Sequence, residues 1–280
     1  MTTTTETPGY VPVSEWPNLE ALAVGYHEHL MPSSDKLKGK DLTLVFADPD
    51  DKVPKHITHN FDNTNDTLRW EVQETKTNGT ATYKAFEVRS DIFLVDFYKS
   101  EYEEQVTIVM NLRTGQAIVG LSGFSSENQT GKRRTWTQFS HASIDGFNSD
   151  NVVPFAPTTD LIGKHILYRY TPRDAYEHVY LNPGTFTWHC LSGTEKGLAD
   201  TEPCKMLKID EKLYLLFWSE KIMPVESIVV VDLEGMRSTG RFFCWDPKPD
   251  RMVQMVFGSF ARVLAETDAA GVIGQGRDIL

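Results

Sequence analysis

The chain has 280 residues, enough for two ordinary domains, and a formal net charge of −11. An acidic surface repels phosphate backbones and anionic lipids, so we expect neither nucleic acid nor a membrane as a partner. No apolar run is long enough to span a membrane. Three cysteines and the lack of a basic, apolar secretion signal lead us to expect reduced thiols and a cytoplasmic location.

The first predicted element is a short helix that follows a Thr-rich stretch. Residues 1–14 are interpreted as a disordered tail. Leu19, Leu22 and Tyr26 then recur at helical spacing, which predicts a helix over residues 17–30. A proline two positions further on ends it.

From residue 37 the pattern changes to short apolar runs separated by polar turns, for example at residues 42–46, 92–97 and 106–112. Strands at this spacing are typical of an antiparallel meander or barrel. The polar stretch at residues 126–158, which contains a Lys-Arg-Arg triplet, is interpreted as a linker. Residues 263–280 are interpreted as a loosely ordered tail.

The chain repeats itself. Residues 83–124 align without a gap with residues 204–245, and Leu-Lys-Gly-Lys at 37–40 matches Leu-Ile-Gly-Lys at 161–164. A period of about 120 residues indicates a duplicated domain rather than a solenoid. Each copy offers about seven or eight strands, which can close a barrel that holds one small ligand. We therefore predict an all-β fold of two tandem antiparallel barrels.

Polar residues that differ between the two copies are the first functional candidates. Tyr168 and Tyr170 are two apart, so they face the same side of a strand, either as packed aromatics or as phenols that share a ligand. His189 lies within a predicted strand. Glu211 lies in a predicted tight turn, where the local sequence favours exposure to solvent. His56 and His59 have His-x-x-His spacing, but no established zinc motif is present, so we expect no metal site.

The duplicated layout, the preceding helix and the Leu-Ile-Gly-Lys-His run at residues 161–165 resemble the molybdenum cofactor biosynthesis F (MoaF) family. The resemblance covers about residues 15–262. It implies two lipocalin-like (calycin) barrels, one over residues 15–125 and one over residues 159–262. The family name implies a pathway more than a reaction.

The second copy also resembles the bacterial phenolic acid decarboxylases, which are single lipocalin-like barrels. Residues 163–170 look like their Gly-Lys/Ser-His-x-Ile-Tyr-Thr-Tyr opening, and residues 213–220 look like their Tyr-Lys-x-Ser-Trp-Thr-Glu strand. Residues 240–245 look like their Gly-x-Ile-Phe-Phe-Pro-x-Trp segment.

This second resemblance implies a site inside the C-terminal barrel. Tyr168 and Tyr170 match the tyrosines that grip the substrate, and Glu211 matches the catalytic glutamate, which would then face the cavity. His189 stands where that family has an arginine, so simple cinnamate-type decarboxylation is in doubt. Substrate-binding roles are assigned to Tyr176, Trp188, Trp218 and Phe242.

Positioned donors and one proton shuttle suit acid/base chemistry without a cofactor. The expected function is a cofactor-independent lyase or isomerase acting on a small aromatic or polyketide-like acid. One alternative is a barrel that binds such a ligand without turnover. Another is an accessory role in molybdenum cofactor synthesis, against which the negative charge counts. Whether the chain works as a monomer or a homodimer stays open.

Overall fold

The computed structural model describes residues 11–47, 53–125, 135–147, 152–246 and 250–268. Within these ranges it confirms the all-β prediction, with two closed antiparallel barrels in tandem and almost no helix. Most of the predicted disordered tail, the basic triplet and the last twelve residues of the predicted C-terminal tail lie outside the described residues. No helix in the described ranges is long and apolar enough to cross a membrane.

The first barrel has eight strands, each antiparallel to the next. Strand β8 returns to β1, where Leu44 faces Ile144, and this pairing closes the barrel. A one-turn 3-10 helix, Ser100–Tyr102, joins β5 to β6. The strands are β1 Asp41–Phe46, β2 Lys55–Phe61, β3 Thr67–Val72, β4 Asn78–Arg89, β5 Ile92–Lys99, β6 Glu104–Asn111, β7 Gln116–Phe124 and β8 Thr135–Ile144.

The second barrel closes through the pairing of β10 with β17 and of β12 with β13. A two-residue strand, β9, pairs with β13 outside this ring. The strands are β9 Ala156–Pro157, β10 Lys164–Arg169, β11 Ala175–Asn182, β12 Thr185–Ser192, β13 Ala199–Asp210, β14 Leu213–Ser219, β15 Val225–Asp232, β16 Arg237–Asp246 and β17 Arg251–Glu266.

The gapless internal alignment is confirmed in three dimensions. Strands β4 to β7 correspond in order to β13 to β16. The two matching hairpins even turn at equivalent residues, since Asp91 and Lys212, 121 positions apart, have φ values of 58° and 53°. The aligned segments are therefore the same four-strand unit folded twice.

Two predicted boundaries are wrong. Strand β8, Thr135–Ile144, lies inside the stretch interpreted as a linker, and β17 runs to Glu266, beyond the predicted barrel end at residue 262. The polar residues of β8 resembled a loop because they lie on both faces of the strand: Gln138 and Ser140 line the cavity of the first barrel, and Thr135 and Thr137 lie on the opposite face. Hydrogen bonds from β7 and β1 on either side hold this segment in the barrel.

The predicted helix is shorter than expected. A 3-10 turn at Val13–Glu15 precedes helix α1, Leu19–Leu22, whose first turn is capped by the Asn18 side chain. The prediction of a helix to residue 30 is wrong because Gly25 adopts φ +87°, a left-handed conformation that ends helical geometry. Turns follow in place of further helix.

Residues 13–30, called here the cap segment, precede the first barrel in the chain but pack on the second. Trp16 meets Trp188 edge to face at 5.9 Å between ring centroids, and Tyr26 stacks on Tyr170 at 5.2 Å. The helix contributes Leu19 and its neighbours to a cluster with residues of β15 and β16. The cap segment thus covers one end of the second barrel.

The barrels pack side by side through outer faces of their sheets. The apolar part of this contact includes Leu94 and Ile118 from the first barrel and Leu215, Ile228 and Val230 from the second. Because the sheets approach closely, a Cβ atom at Gly120 would lie 2.3 Å from the Ile228 side chain.

Arg241 of β16 crosses the same interface and is fully buried. Its guanidinium donates hydrogen bonds to Thr107 Oγ1 at 2.8 Å, Ser122 Oγ at 2.6 Å and the Glu226 carbonyl at 2.8 Å. The carboxylate of Asp96 lies 3.8 Å away and supplies the opposite charge. The two barrels are therefore joined by a paired buried charge as well as by apolar packing.

Candidate functional site

The second barrel encloses a cavity lined mainly by aromatic side chains. With its open mouth included, the empty space is about 560 Å³. Side chains from the cap segment and from the barrel strands meet there. The lining residues are Leu19, Leu22, Tyr26, Tyr170, Tyr176, His178, Trp188, Glu195, Trp218, Glu220, Met223, Val225, Phe242 and Met255.

A chain of hydroxyl and carboxyl groups runs along one wall of this cavity. Tyr26 Oη donates to Tyr176 Oη at 3.2 Å, and Tyr176 Oη donates to Glu195 Oε2 at 2.8 Å. Burial raises the pKa of Glu195 to about 7, although the bond from Tyr176 works in the opposite direction. A carboxyl group with this pKa can both give and take a proton near neutral pH.

A second acid, Glu220, lies at the end of β14 and lines the same cavity. Trp218 Nε1 donates to its Oε1 at 3.3 Å. Desolvation raises the pKa of Glu220 well above its usual range, and the nearby acids Glu195 and Glu202 add to the shift. None of the described lining residues is Lys or Arg, so neither acid has a cationic side chain beside it in the described cavity wall.

Three buried polar atoms of the lining have no hydrogen-bond partner among the described residues: His178 Nδ1, Trp188 Nε1 and Glu195 Oε1. Burial lowers the pKa of His178 to about 3, so its ring is neutral at physiological pH. Buried polar groups are normally satisfied by protein, ordered water or a ligand. These three groups are therefore polar atoms of the lining residues that the described protein leaves unsatisfied.

The strand alternation places most of the predicted site residues inside this barrel. Tyr168 is buried and its hydroxyl hydrogen-bonds that of Tyr180 at 2.9 Å, behind the cavity wall. The roles assigned to these side chains stay predictions. Those that line the cavity are Tyr170, Tyr176, Trp188, Trp218 and Phe242.

The expectation that Glu211 faces the cavity is wrong. It lies in the hairpin turn between β13 and β14, its side chain is 73% exposed, and it pairs with Lys208 at 2.9 Å. The turn places Glu211 beyond the barrel wall, as the local sequence alone had favoured. No proton transfer inside the cavity can involve this carboxylate.

His189 also lies outside the cavity. Its neighbour Trp188 points inward, and successive residues of a strand face opposite sides. The His189 side chain is 43% exposed and its Nδ1 lies 3.8 Å from Glu177 Oε2. Glu177 Oε1 also accepts a hydrogen bond from His165 Nδ1 at 3.0 Å, so these residues form a polar cluster on the outer surface.

Sequence reasoning missed His178, Glu195, Glu220 and Tyr26 as cavity residues. The repeat held a signal for His178, because His59 of the first barrel pairs with Leu42 as His178 pairs with Ile166. Each of these histidines also pairs with a tryptophan on the next strand. Glu195 lies in the loop between β12 and β13, and Tyr26 reaches the cavity from the cap segment, so neither belongs to a periodic pattern.

The described residues contain no group of three or more His, Cys, Asp or Glu side chains that could hold a metal ion. The His-x-x-His pair is divided between two environments. His56 pairs with Glu74 at 2.9 Å near the surface, whereas His59 is buried inside the first barrel. The three cysteines are free.

Comparison with known proteins finds a matching family model for each of the two barrels. The family model of the MoaF N-terminal domain matches residues 14–126, and that of the MoaF C-terminal domain matches residues 155–267. Protein MoaF of Klebsiella aerogenes is 31% identical over 237 residues, which cover 79% of this chain and 84% of that protein. A crystal structure of a candidate beta-lactamase from Burkholderia vietnamiensis matches 39% of this chain and 100% of its own, with 12% identity and a TM-score of 0.34, too low for any argument.

Proposed function

The chain belongs to the MoaF family, and from that premise we propose that its second barrel is a cofactor-independent isomerase or lyase for a small planar molecule. The substrate class is an aromatic or polyketide-like compound with an enolisable carbonyl group. The family assignment identifies no reaction. The proposal is supported by the chemistry of the cavity.

One observation carries the proposal: a cavity carboxyl with a pKa of about 7 has one oxygen engaged and the other free. Glu195 Oε2 accepts from Tyr176, while Glu195 Oε1 has no partner among the described residues. A general base is most effective when its pKa lies near the working pH. Glu195 Oε1 is therefore the group that would take a proton from a bound substrate.

The proposed step conserves every atom. Glu195 Oε1 removes a proton from the carbon next to the carbonyl, and the electron pair of that C–H bond moves to the carbonyl oxygen as an enolate. The indole N–H of Trp188, which lines the cavity and has no hydrogen-bond partner among the described residues, can donate to the negative oxygen. Return of the proton to a different carbon gives an isomer, and loss of a leaving group from the enolate gives a lyase product.

The lining also determines the ligand's shape and charge. Flat aromatic walls such as Trp188 and Phe242 favour a planar ligand. Because two acids and no Lys or Arg lie among the described lining residues, an uncharged or basic ligand is favoured over the free acid expected from the decarboxylase resemblance. The same charge pattern counts against an anionic pterin, and so against the accessory role in molybdenum cofactor synthesis.

The test is proton exchange, which does not require the product to be known. The full chain is incubated in deuterated water with a panel of planar aryl ketones, and deuterium at the carbon next to the carbonyl is followed by NMR. We expect wild type and Glu211→Gln to exchange equally. Glu195→Gln should be slower by about 100-fold or more, which is the usual contribution of a general base.

Binding is measured in parallel by quenching of tryptophan fluorescence, since Trp188 and Trp218 line the cavity. Glu195→Gln should still bind, because the amide keeps the size of the side chain. Binding without exchange in wild type would establish the alternative, a barrel that holds an aromatic ligand without turnover. Equal exchange in wild type and Glu195→Gln would remove Glu195 from the mechanism.

A further inference from the structure

The first barrel contains a wider cavity than the second. With the mouth included, its empty space is about 1630 Å³, compared with about 560 Å³. The difference follows from side-chain size. Where the second barrel is filled by aromatic residues, the walls here include Ile57, Val72, Val106, Val119 and Leu121. Protein interiors are normally close-packed, so an open space of this size needs an explanation.

The deeper wall of this cavity is apolar and uncharged. Its one buried titratable side chain, His59, is 5% exposed and hydrogen-bonds the backbone of Leu42 and Ile57. Burial lowers the pKa of His59 to about 4, so the ring is neutral at physiological pH. A hydrocarbon chain or ring can occupy this depth without desolvating a charge.

The rim carries positive charge. Lys55 and Lys99 both line the cavity, and no Asp or Glu is among its described lining residues. Lys99 Nζ is fixed 5.0 Å from the ring centroids of Trp70 and Tyr102 and pairs with Glu104. Lys55 has no such carboxylate partner in the described part of the chain, so one positive charge is left over among the described rim residues.

From this arrangement we infer that the first barrel is a second ligand site, which takes a small amphipathic monocarboxylate. The apolar part of the ligand lies between β2, β5, β6 and β7, and the carboxylate lies at the rim beside Lys55. The site is separate from the second cavity in position and opposite in charge preference. It does not depend on the catalytic proposal for Glu195.

The test compares three probes with one chain length and different head groups: decanoate, 1-decanol and decylamine. Each is titrated calorimetrically into the full-length protein. We expect decanoate to bind most tightly and decylamine most weakly. Lys55→Met should weaken decanoate by about 2- to 5-fold, the range for a partly exposed ion pair, and leave 1-decanol unchanged.

Two variants that fill the cavity test its location. Val119 and Ser140 face each other on β7 and β8 and both line the cavity, so Val119→Phe and Ser140→Trp each fill it from the same wall, and each should abolish decanoate binding. Thermal unfolding checks that both fold, and Ser140 tolerates a large residue best because it is exposed. Glu195→Gln serves as the matched control in the other barrel and should leave decanoate binding unchanged.

Unchanged decanoate affinity in a folded filled variant would overturn the site, as would failure of wild type to bind decanoate. Equal or tighter binding of decylamine would overturn the monocarboxylate assignment. Neither result bears on deuterium exchange in the second barrel, so the two proposals fail separately.

Discussion

The two barrels share a strand plan and differ in what fills them. The first is wide, apolar and positively charged at its rim, whereas the second is narrow, aromatic and lined by acids. Matching positions of the repeat show the difference directly: Phe97 corresponds to Trp218, and Lys99 corresponds to Glu220. Turns and strand pairing can therefore stay fixed while one or two inward side chains per strand decide ligand size and charge.

One feature that both copies of the repeat share is a buried histidine at the same position of the strand pairing. His59 and His178 occupy equivalent places in the strand pairing, and burial lowers the pKa of both. In the first barrel the ring hydrogen-bonds the backbone, while in the second its Nδ1 has no partner in the described chain. The same residue thus has its ring nitrogens bonded to the backbone in one barrel and a ring nitrogen without a partner among the described residues of the other.

The largest expected effect comes from breaking the junction between the barrels. Arg241→Met leaves the buried Asp96 without its opposite charge and removes three hydrogen bonds. We expect a loss of about 3–5 kcal/mol in the free energy of unfolding, measured in urea. The double variant Arg241→Met with Asp96→Asn should recover part of it. A loss of the same size in both would mean that the charge pair is not what joins the barrels.

Next in size is an opposite pH dependence contributed by two single groups, Glu195 of the second barrel and His59 of the first. The pKa of Glu195 is raised to about 7 from a usual 4.5. Its contribution to the free energy of unfolding is therefore fully present below pH 4.5 and is lost as the pH rises through 7. The lowered pKa of His59, about 4 against 6.5, gives stability that is complete above pH 6.5 and lost as the pH falls through 4.

Removing each group should therefore change how steeply the free energy of unfolding depends on pH, and the two changes should have opposite signs. As the pH rises from 5 to 8, the free energy of unfolding of Glu195→Gln should increase by about 2–3 kcal/mol relative to that of wild type. The free energy of unfolding of His59→Gln should increase by a similar amount relative to wild type as the pH falls from 7 to 4.5. Urea unfolding at several pH values measures both. If the free energy of unfolding changed with pH in the same way in both variants, the opposite pKa shifts of Glu195 and His59 would be contradicted.

A smaller difference is expected from truncating matched aromatics. Trp218 lies in the filled barrel, so Trp218→Ala creates a new cavity, whereas Phe97 already borders open space. The cost of a large-to-small change rises with the cavity that it leaves. Trp218→Ala should destabilise the protein by about 1–2 kcal/mol more than Phe97→Ala in the same unfolding assay. Equal costs would show that the first barrel is as well packed as the second.

The smallest effect is expected at the turns that the barrels share. Glu211→Gln and its first-barrel counterpart Ser90→Ala alter exposed hairpin residues that face no cavity. Both variants should match wild type in unfolding midpoint and in ligand affinity. Weaker binding of an aryl ketone by Glu211→Gln would return this residue to the site.

The sequence predicted the fold better than the site. The gapless repeat and the alternating strand pattern correctly gave two barrels, because strand geometry is local and periodic. The sequence did not predict the cavity residues whose positions depend on contacts between distant parts of the chain. Glu195 reaches the cavity from a loop, and Tyr26 reaches it from a segment that precedes the other barrel. The resemblance to phenolic acid decarboxylases misplaced Glu211, since here a tight turn carries it into solvent.

The position of the cap segment determines the order in which the two sites can be completed. Residues 13–30 are synthesised before either barrel, yet they dock on the second barrel, which follows the first in the chain. All eight strands of the first barrel have been synthesised once residue 144 has emerged. Trp16 and Tyr26 must wait for the second barrel before they are covered. A chain cut short within β16 or β17 would keep one finished site and lack the other.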